Sequence, residues 1–269
     1  MLVGSRRRAI GALSVVGLIG ICAALAPAMS GAVGGEAPVA VTVSSLPVFV
    51  HIGISPTELL TAAPAPATLR VGIDSDDGIG ELGISAATIS LDRSISFERS
   101  GLPACRKPGV EDGIEIQSSG ESGECPHAVV GRAVANFRFA FPEQVPIEVR
   151  ARGKIYNGSV RRGVSHLLVE LPIGTPLDGV VYLIVPVRPL DEGQFGSEMS
   201  ISVPQLAGGS GALVELELEL NRSFKVDKER RSFVEARCPN GKLALSADLT
   251  FDDGTKFEQE AVRACTPRR

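Results

Sequence analysis

Histidine is the side chain most often used for acid–base chemistry and metal binding at neutral pH, and this chain has three. They lie far apart in the sequence, with none at metal-ligand spacing from another: His51, His127 and His166. The chain has no G-x-S-x-G elbow, no H-E-x-x-H, no P-loop and no G-x-G-x-x-G after a strand. We therefore predict no catalytic, metal-binding or cofactor-binding residue, and no cofactor.

Acidic residues form two local patterns. The run Asp74 to Gly78 is turn-like, and its carboxylates at Asp74, Asp76 and Asp77 are a weak calcium candidate. It lacks the register and the distant glutamate of an EF-hand, so a solvated turn is the default interpretation. A second pattern alternates with leucines and predicts a solvated sheet face, or one that meets a basic partner: Glu215, Glu217 and Glu219. No sequence motif identifies a pair of carboxylates as the catalytic pair of a glycoside hydrolase.

The cysteines constrain the fold more strongly than any other residues of the sequence. Four of the five follow the N-terminal segment, and an even number in an exported chain predicts disulfides: Cys105, Cys125, Cys238 and Cys265. We favour the sequential pairing, because each pair flanks a local unit. Free buried thiols are the alternative, and a zinc site is disfavoured because no C-x-x-C is present.

The first 32 residues are typical of a signal peptide. Arg6 to Arg8 precede an uncharged apolar segment, Ala9 to Ala24, and small residues follow at Ala26-Pro27-Ala28. We predict export, with cleavage after Ala28 or Ala32. An uncleaved anchor is the alternative, since the apolar segment approaches the length of a membrane span.

Charge and hydropathy exclude two classes of partner. Three of the 27 basic residues and none of the 31 acidic residues lie in the signal segment, so the mature chain has a net charge of −7. An acidic chain without a basic stripe is poorly suited to nucleic acid. No second apolar stretch is long enough to span a membrane after cleavage. We therefore predict a partner in the cell envelope or outside the cell, and the sequence does not identify it.

Alternating apolar residues predict an all-β chain from residue 36 to 269. About a dozen strands fit an antiparallel β-sandwich, either one large sandwich or two in close association, with a boundary near 193–211 if the region is divided. Val180 to Val185 is apolar on both faces and predicts a central strand that Pro186 and Pro189 end. Ser55 to Leu60 predicts one short helical turn.

Two turns can be predicted from register. Asn157-Gly158 suggests a two-residue hairpin, but that register sets Lys154 opposite Arg161, so we favour a wider loop from Asn157 to Gly163. Near the C-terminus, a three-residue loop at 252–254 matches apolar faces. It pairs Leu249 with Phe257 and Leu245 with Ala261, and it places Cys265 opposite Gly241, near Cys238.

Together these motifs resemble a family of exported, β-rich actinobacterial proteins. The matching pattern runs from about Ile54 onward and comprises GLPxC at 101–105, CPxAxVG at 125–131, YNG at 156–158, SFxxAxCP at 232–239, FxDG at 251–254 and the final Cys265. Arg132 departs from it where a glycine is expected. The resemblance implies export, β architecture and two disulfides, and it supplies no catalytic residues.

These patterns favour a non-catalytic exported protein acting as a structural or binding module at or outside the cell envelope. One alternative is a secreted glycan-acting hydrolase whose carboxylates meet only in three dimensions. Another is a carrier that holds an apolar ligand between its sheets. The polar loop held by the first disulfide, Arg106 to Glu124, is the segment predicted to recognise a partner.

Overall fold

A computed structural model describes residues 48–75, 82–107, 116–118, 125–175 and 178–269. All of them belong to one compact unit, Glu36–Arg269. The predicted signal peptide lies outside the described residues, as do Asp76 and Asp77 of the acidic turn. The predicted boundary near 193–211 stays a prediction.

Strands make up about two thirds of the described chain, and two short 3-10 turns, Pro126–Ala128 and Ala207–Gly209, are its helical parts. The strands are β1 Val48–Ser55, β2 Glu58–Leu60, β3 Ala65–Ser75, β4 Ile84–Asp92, β5 Ile95–Phe97, β6 Ile116–Ser118, β7 Val129–Phe139, β8 Ile147–Arg161, β9 Val164–Ile173, β10 Gly179–Pro189, β11 Phe195–Ser202, β12 Gly211–Leu220, β13 Ser223–Val226, β14 Glu229–Ser232, β15 Val234–Ala236, β16 Lys242–Phe251, β17 Lys256–Ala264 and β18 Thr266–Arg268.

Fourteen strands form one continuous antiparallel sheet, in the order β17-β16-β4-β11-β10-β9-β8-β7-β12-β3-β15-β5, with β1 beside β3 and β6 beside β10. The sheet folds over on itself. Arg263 of β17 donates its Nε–H to the Ile52 carbonyl of β1 at 2.9 Å, which joins the two sides. The result is the predicted all-β, antiparallel sandwich.

The core follows from the period-two alternation of the strands. The aromatic rings of Phe137 and Phe139 on β7 stack in series with that of Phe141, two residues beyond the strand, and the centroids are 6.4 and 6.5 Å apart. Phe137 and Phe139 are fully buried, and Phe141 packs at the margin of the core. On β12 a bulge between Leu213 and Glu215 shifts the inward register, so Leu213 rather than Val214 is buried.

Both disulfides have the predicted connectivity. Cys105 is bonded to Cys125 and Cys238 to Cys265, with Cα–Cα distances of 5.6 and 6.0 Å. The C-terminal hairpin has the predicted register, since Leu249 pairs with Phe257 and Leu245 with Ala261. The Cys265 amide donates to the Gly241 carbonyl at 3.0 Å, which places the two sulfurs within bonding reach.

The β8–β9 hairpin confirms one prediction and corrects another. Lys154 pairs with Glu170 rather than with Arg161, so the two-residue Asn157-Gly158 hairpin is absent. The predicted loop from Asn157 to Gly163 is nevertheless wrong, because β8 continues through a bulge to Arg161. The chain reverses only at Arg162 and Gly163, which both have positive φ.

Two further local predictions are wrong. Residues 58–60 form β2 instead of a helical turn, because they pair in parallel with the C-terminal strand β18 and bury Leu59 in the core. Strand β10 does not end at Pro186, which pairs with His166 of β9. The strand ends at Pro189, the second of the two predicted prolines. A proline removes a single ladder donor, and the pairing of its neighbours continues the strand here.

Candidate functional site

The three histidines lie on separate elements, as the sequence predicts. His51 is exposed on β1 and His127 is exposed in a 3-10 turn. His166 is half-buried on β9, with its Nδ1 3.1 Å from the Ser159 carbonyl. Within the described ranges, no group of three or more His, Cys, Asp or Glu side chains is placed to hold a metal ion.

Glu219, expected on a solvated face, is instead a buried ion-pair centre. Its Oε2 accepts from Arg70 Nε at 3.0 Å and from Arg132 Nη2 at 2.8 Å, and its Oε1 accepts from Asn221 at 2.6 Å. Burial alone would raise the pKa of Glu219, but the hydrogen bonds from Arg132 and Arg70 outweigh it and hold the pKa below its usual range. The residue therefore ties together three adjacent strands, β3, β12 and β7.

Arg132, at the position where the sequence resemblance predicts a glycine, is one partner of this centre. It lies within β7, directly opposite Glu219 of β12. The neighbouring Glu215 accepts from Asn136 of the same strand pair. These contacts are structural cross-links along the outer face of the sheet, and they account for two of the three alternating glutamates, Glu215 and Glu219.

The Cys105–Cys125 disulfide and the residues next to its two cysteines, together called the clip, cover the outer face of β8, β9 and β10. Beneath it lies a small second core of Cys105, Ala128, Tyr156, Leu168 and Tyr182. This cover buries Tyr182 and half-buries Val180 and Ile184, so β10 is covered on both faces, as its sequence predicts. Both tyrosines of the chain are buried here, so neither presents an open platform for a sugar ring.

Lys107 seals this second core. Its Nζ lies 2.7 Å from Glu170 Oε2, and it sits 5.5 and 5.7 Å from the ring centroids of Tyr156 and Tyr182. Asn157 fixes the clip from below, because its carbonyl accepts from the Cys105 amide at 2.7 Å and its side chain donates to the Pro103 carbonyl at 3.0 Å. The YNG segment thus anchors the disulfide instead of turning the chain.

Part of the segment between these cysteines is described. Ile116–Ser118 forms β6 and pairs with β10 from Gly179 to Val181, so the segment predicted as a loop contains a short strand. Residues 108–115 and 119–124 lie outside the described residues. The predicted role of this loop in recognition stays a prediction.

A pocket of about 390 Å³ opens at one end of the sandwich. It lies between the β4–β5 region on one side and β9, β10 and β11 on the other. Four buried apolar side chains line it: Ile95, Leu167, Val187 and Phe233. Exposed residues at its mouth are Arg93, Ser96, Gly163 and Pro189. Its volume falls within the range of about 300–1,000 Å³ that is common for small-molecule sites.

Arg93 shapes one wall of this pocket. Its Nη2 lies 3.0 Å from the carbonyls of Asp191 and Gly193 and 3.3 Å from that of Phe195. It thereby fixes the connection between β10 and β11. Gly196 lies at the β11 bulge, where an added Cβ would come 2.7 Å from the Arg93 Cα. Only a glycine allows the two segments to approach this closely.

Arg99 contributes the second guanidinium of the pocket. It is half-buried and donates to the Gly158 carbonyl, and burial lowers its pKa. Among the described residues it has no carboxylate partner, because the adjacent Glu98 accepts instead from the Ser100 amide at 2.7 Å. No aspartate or glutamate of the described ranges lines the pocket. Ser197 also lines it, and its buried Oγ has no hydrogen-bond partner within the described part of the chain.

The carboxylates that interact most strongly lie elsewhere, on the outer face near β11, β16 and β17. Burial raises the pKa of Asp248, and repulsion from Glu258, Glu198 and Glu260 adds to the effect. Asp248 is nevertheless exposed, and none of these residues lines the pocket. They do not form the enclosed pair that glycoside hydrolysis requires.

Sequence reasoning did not find the pocket. Its lining comes from five separated stretches whose local patterns only indicate strands and turns. In the sequence each pocket arginine follows an acidic residue, Asp92 or Glu98, so local charge gives no signal of the pocket. None of the helical turns in the described ranges has the length and apolar character of a membrane-crossing helix. No protein-family model matches the chain, and a search of curated proteins finds no match.

Proposed function

We propose that this protein is an exported, non-catalytic β-sandwich that acts as a binding module at or outside the cell envelope, and that the pocket between its layers is the ligand site. The observation that carries the proposal is the pocket itself, with its buried apolar floor and its two arginines. Such a cavity has no role in stability, because unfilled apolar space loses packing contacts.

Two features support export. The two disulfides indicate an oxidising compartment. The N-terminal segment has the composition of a signal peptide, which directs a chain to such a compartment. Secretion and residence at the envelope are both compatible with these features.

The pocket also favours a binding role over hydrolysis. Among the described residues no carboxylate and no histidine lines it, so this part of the chain offers neither the acid nor the nucleophile of a glycan hydrolase there. It favours the sandwich as a carrier over a purely structural module, because it lies between the layers, where an apolar ligand would be held.

Methyl NMR on the mature, disulfide-bonded protein tests the site. Decanol and decanoate are titrated separately. At least one of them should shift the methyl resonances of Ile95, Leu167 and Val187. Ser165, half-buried on β9, lines the pocket, so Ser165→Phe should fill the space and abolish the shifts. Val164→Phe is the matched control, since Val164 is half-buried on the same strand and does not line the pocket.

The result that would overturn the proposal is equally direct. If neither compound moves the three pocket methyls, or if Ser165→Phe binds as well as Val164→Phe, the pocket is not a ligand site. Circular dichroism of both variants shows whether each keeps the native strand content, and Ser165→Ala serves as a second, space-creating variant that should retain binding.

A further inference from the structure

The charge lining the pocket is opposite in sign to that of the protein. The mature chain is acidic, yet the two charged residues in the described part of the lining are both arginines, Arg93 and Arg99. When charges of one sign line a cleft with low-dielectric walls, they focus the electric field inside it. The local concentration of oppositely charged ligands then rises. The pocket therefore selects for an anion.

The two arginines have different roles. The Nη2 of Arg93 is occupied by three carbonyl oxygens, so Arg93 mainly holds the wall and contributes its charge. Arg99 makes one hydrogen bond, to the Gly158 carbonyl, although a guanidinium has five N–H donors in a planar fork. Among the described residues this leaves Arg99 with unused donors at the pocket wall.

Burial makes an anionic partner favourable for Arg99. A charge withdrawn from water is costly unless it is paired, and the described chain supplies no carboxylate for this guanidinium. Carboxylates match the arginine fork in a bidentate way. Ser197, whose Oγ lacks a partner in the described residues, supplies a further hydroxyl on the lining.

We infer that the pocket binds an amphipathic monocarboxylate, with its carboxylate on Arg99 and its apolar body over Ile95, Leu167 and Val187. This inference rests on the proposed function, because it names the ligand class of the same site. The volume of about 390 Å³ sets the size of the apolar body to that of a short or medium chain.

Three probes separate the contribution of the carboxylate from that of the alkyl chain: decanoate, decanol and acetate. Each is titrated by calorimetry, and the pocket methyl resonances are followed by NMR. We expect decanoate to bind at least tenfold more tightly than decanol, since a charge-assisted pair at a half-buried site contributes at least that factor. Acetate, which has the carboxylate without the long alkyl chain, should bind far more weakly than decanoate.

Arg99→Gln should reduce decanoate affinity about tenfold and leave decanol affinity unchanged. Arg150→Gln is the matched control, because it removes the same charge from an exposed position near the opposite end of the β8–β9 hairpin and should change neither affinity. Native strand content of both variants is checked by circular dichroism.

Failure of this inference differs from failure of the proposed function. If decanol binds as tightly as decanoate, or if Arg99→Gln weakens both equally, the site is an apolar pocket and the anionic ligand class is wrong. If neither decanol nor decanoate binds, the proposed function itself fails. If decanoate binds but Arg99→Gln and Arg150→Gln weaken it alike, long-range charge rather than Arg99 attracts the anion, and the assigned contact is wrong.

Discussion

Glu219 offers the sharpest test of how the sheet is held together. Its side chain is 7% exposed, and it accepts hydrogen bonds from Arg70, Arg132 and Asn221. Glu219→Gln keeps the shape of the side chain and one acceptor oxygen but removes the charge that both guanidinium groups face. The substitution therefore isolates the ionic part of this cluster.

The expected loss follows from exposure. Hydrogen bonds to charged groups contribute about 1.5–3 kcal/mol each when desolvated. The arginine side chains are 40% and 69% exposed, so solvent screens a large part of each interaction. We therefore expect Glu219→Gln to lower the free energy of unfolding by about 2 kcal/mol. In a unit of this size that corresponds to a decrease in Tm of about 4–8 °C.

Urea unfolding of the mature, disulfide-bonded protein, followed by far-ultraviolet circular dichroism, measures this loss. Glu217→Gln is the matched control, because Glu217 is half-buried two residues away on the same strand. We expect it to change the free energy of unfolding by no more than about 0.5 kcal/mol. Equal losses in the two variants would refute the assignment of Glu219 as an ion-pair centre.

The pH dependence tests the same charge. Because the folded protein lowers the pKa of Glu219, its contribution is fully present above the unfolded value of about 4.3 and is lost as the pH falls through the lower folded value. The difference between wild type and Glu219→Gln should thus be constant at neutral pH and shrink below about pH 4. A difference that persists unchanged in acid would mean that the carboxylate charge is not its source.

Three further changes have expected outcomes by the same unfolding measurement. Replacing both Cys238 and Cys265 by Ser should cost about 3.6 kcal/mol in the chain-entropy model, for a sequence separation of 27 residues; no loss would contradict this role. Lys107→Met should cost about 3 kcal/mol by leaving Glu170 unpaired, and adding Glu170→Leu should restore most of it; equal loss in single and double variants would contradict the pairing. Asp248→Asn should gain up to about 0.5 kcal/mol at neutral pH, because a raised carboxyl pKa destabilises the ionised folded state, and the gain should vanish in acid and shrink in salt.

Register explains why part of the fold could be predicted. The C-terminal hairpin is local, and only the 252–254 loop matches its apolar faces, so sequence alone identified the pairing of Leu249 with Phe257 and the nearby Cys238–Cys265 bond. The like-charge argument at Lys154 correctly rejected a hairpin at Asn157-Gly158. It could not locate the real turn, because the bulge in β8 is set by contacts of Asn157 with the distant clip.

Nonlocal pairing explains the failures. Residues 58–60 carry a helix-start pattern, but β18, about 200 residues away, captures them as a strand. Glu219 has the alternation of a solvated face, but Arg70 and Arg132 arrive from strands that are distant in sequence and make the site a buried one. In each case the decisive partner lies on a different part of the chain.

The sequence by itself determined the class of the fold, the two disulfides and the absence of recognised catalytic motifs, because these depend on alternation, cysteine number and local spacing. Only the tertiary structure brought Arg93 and Arg99 to the mouth and wall of one pocket and gave Arg99 no carboxylate partner among the described residues. The physical reason is that strand pairing fixes neighbours within the sheet, whereas the space left between layers depends on how all the side chains pack at once.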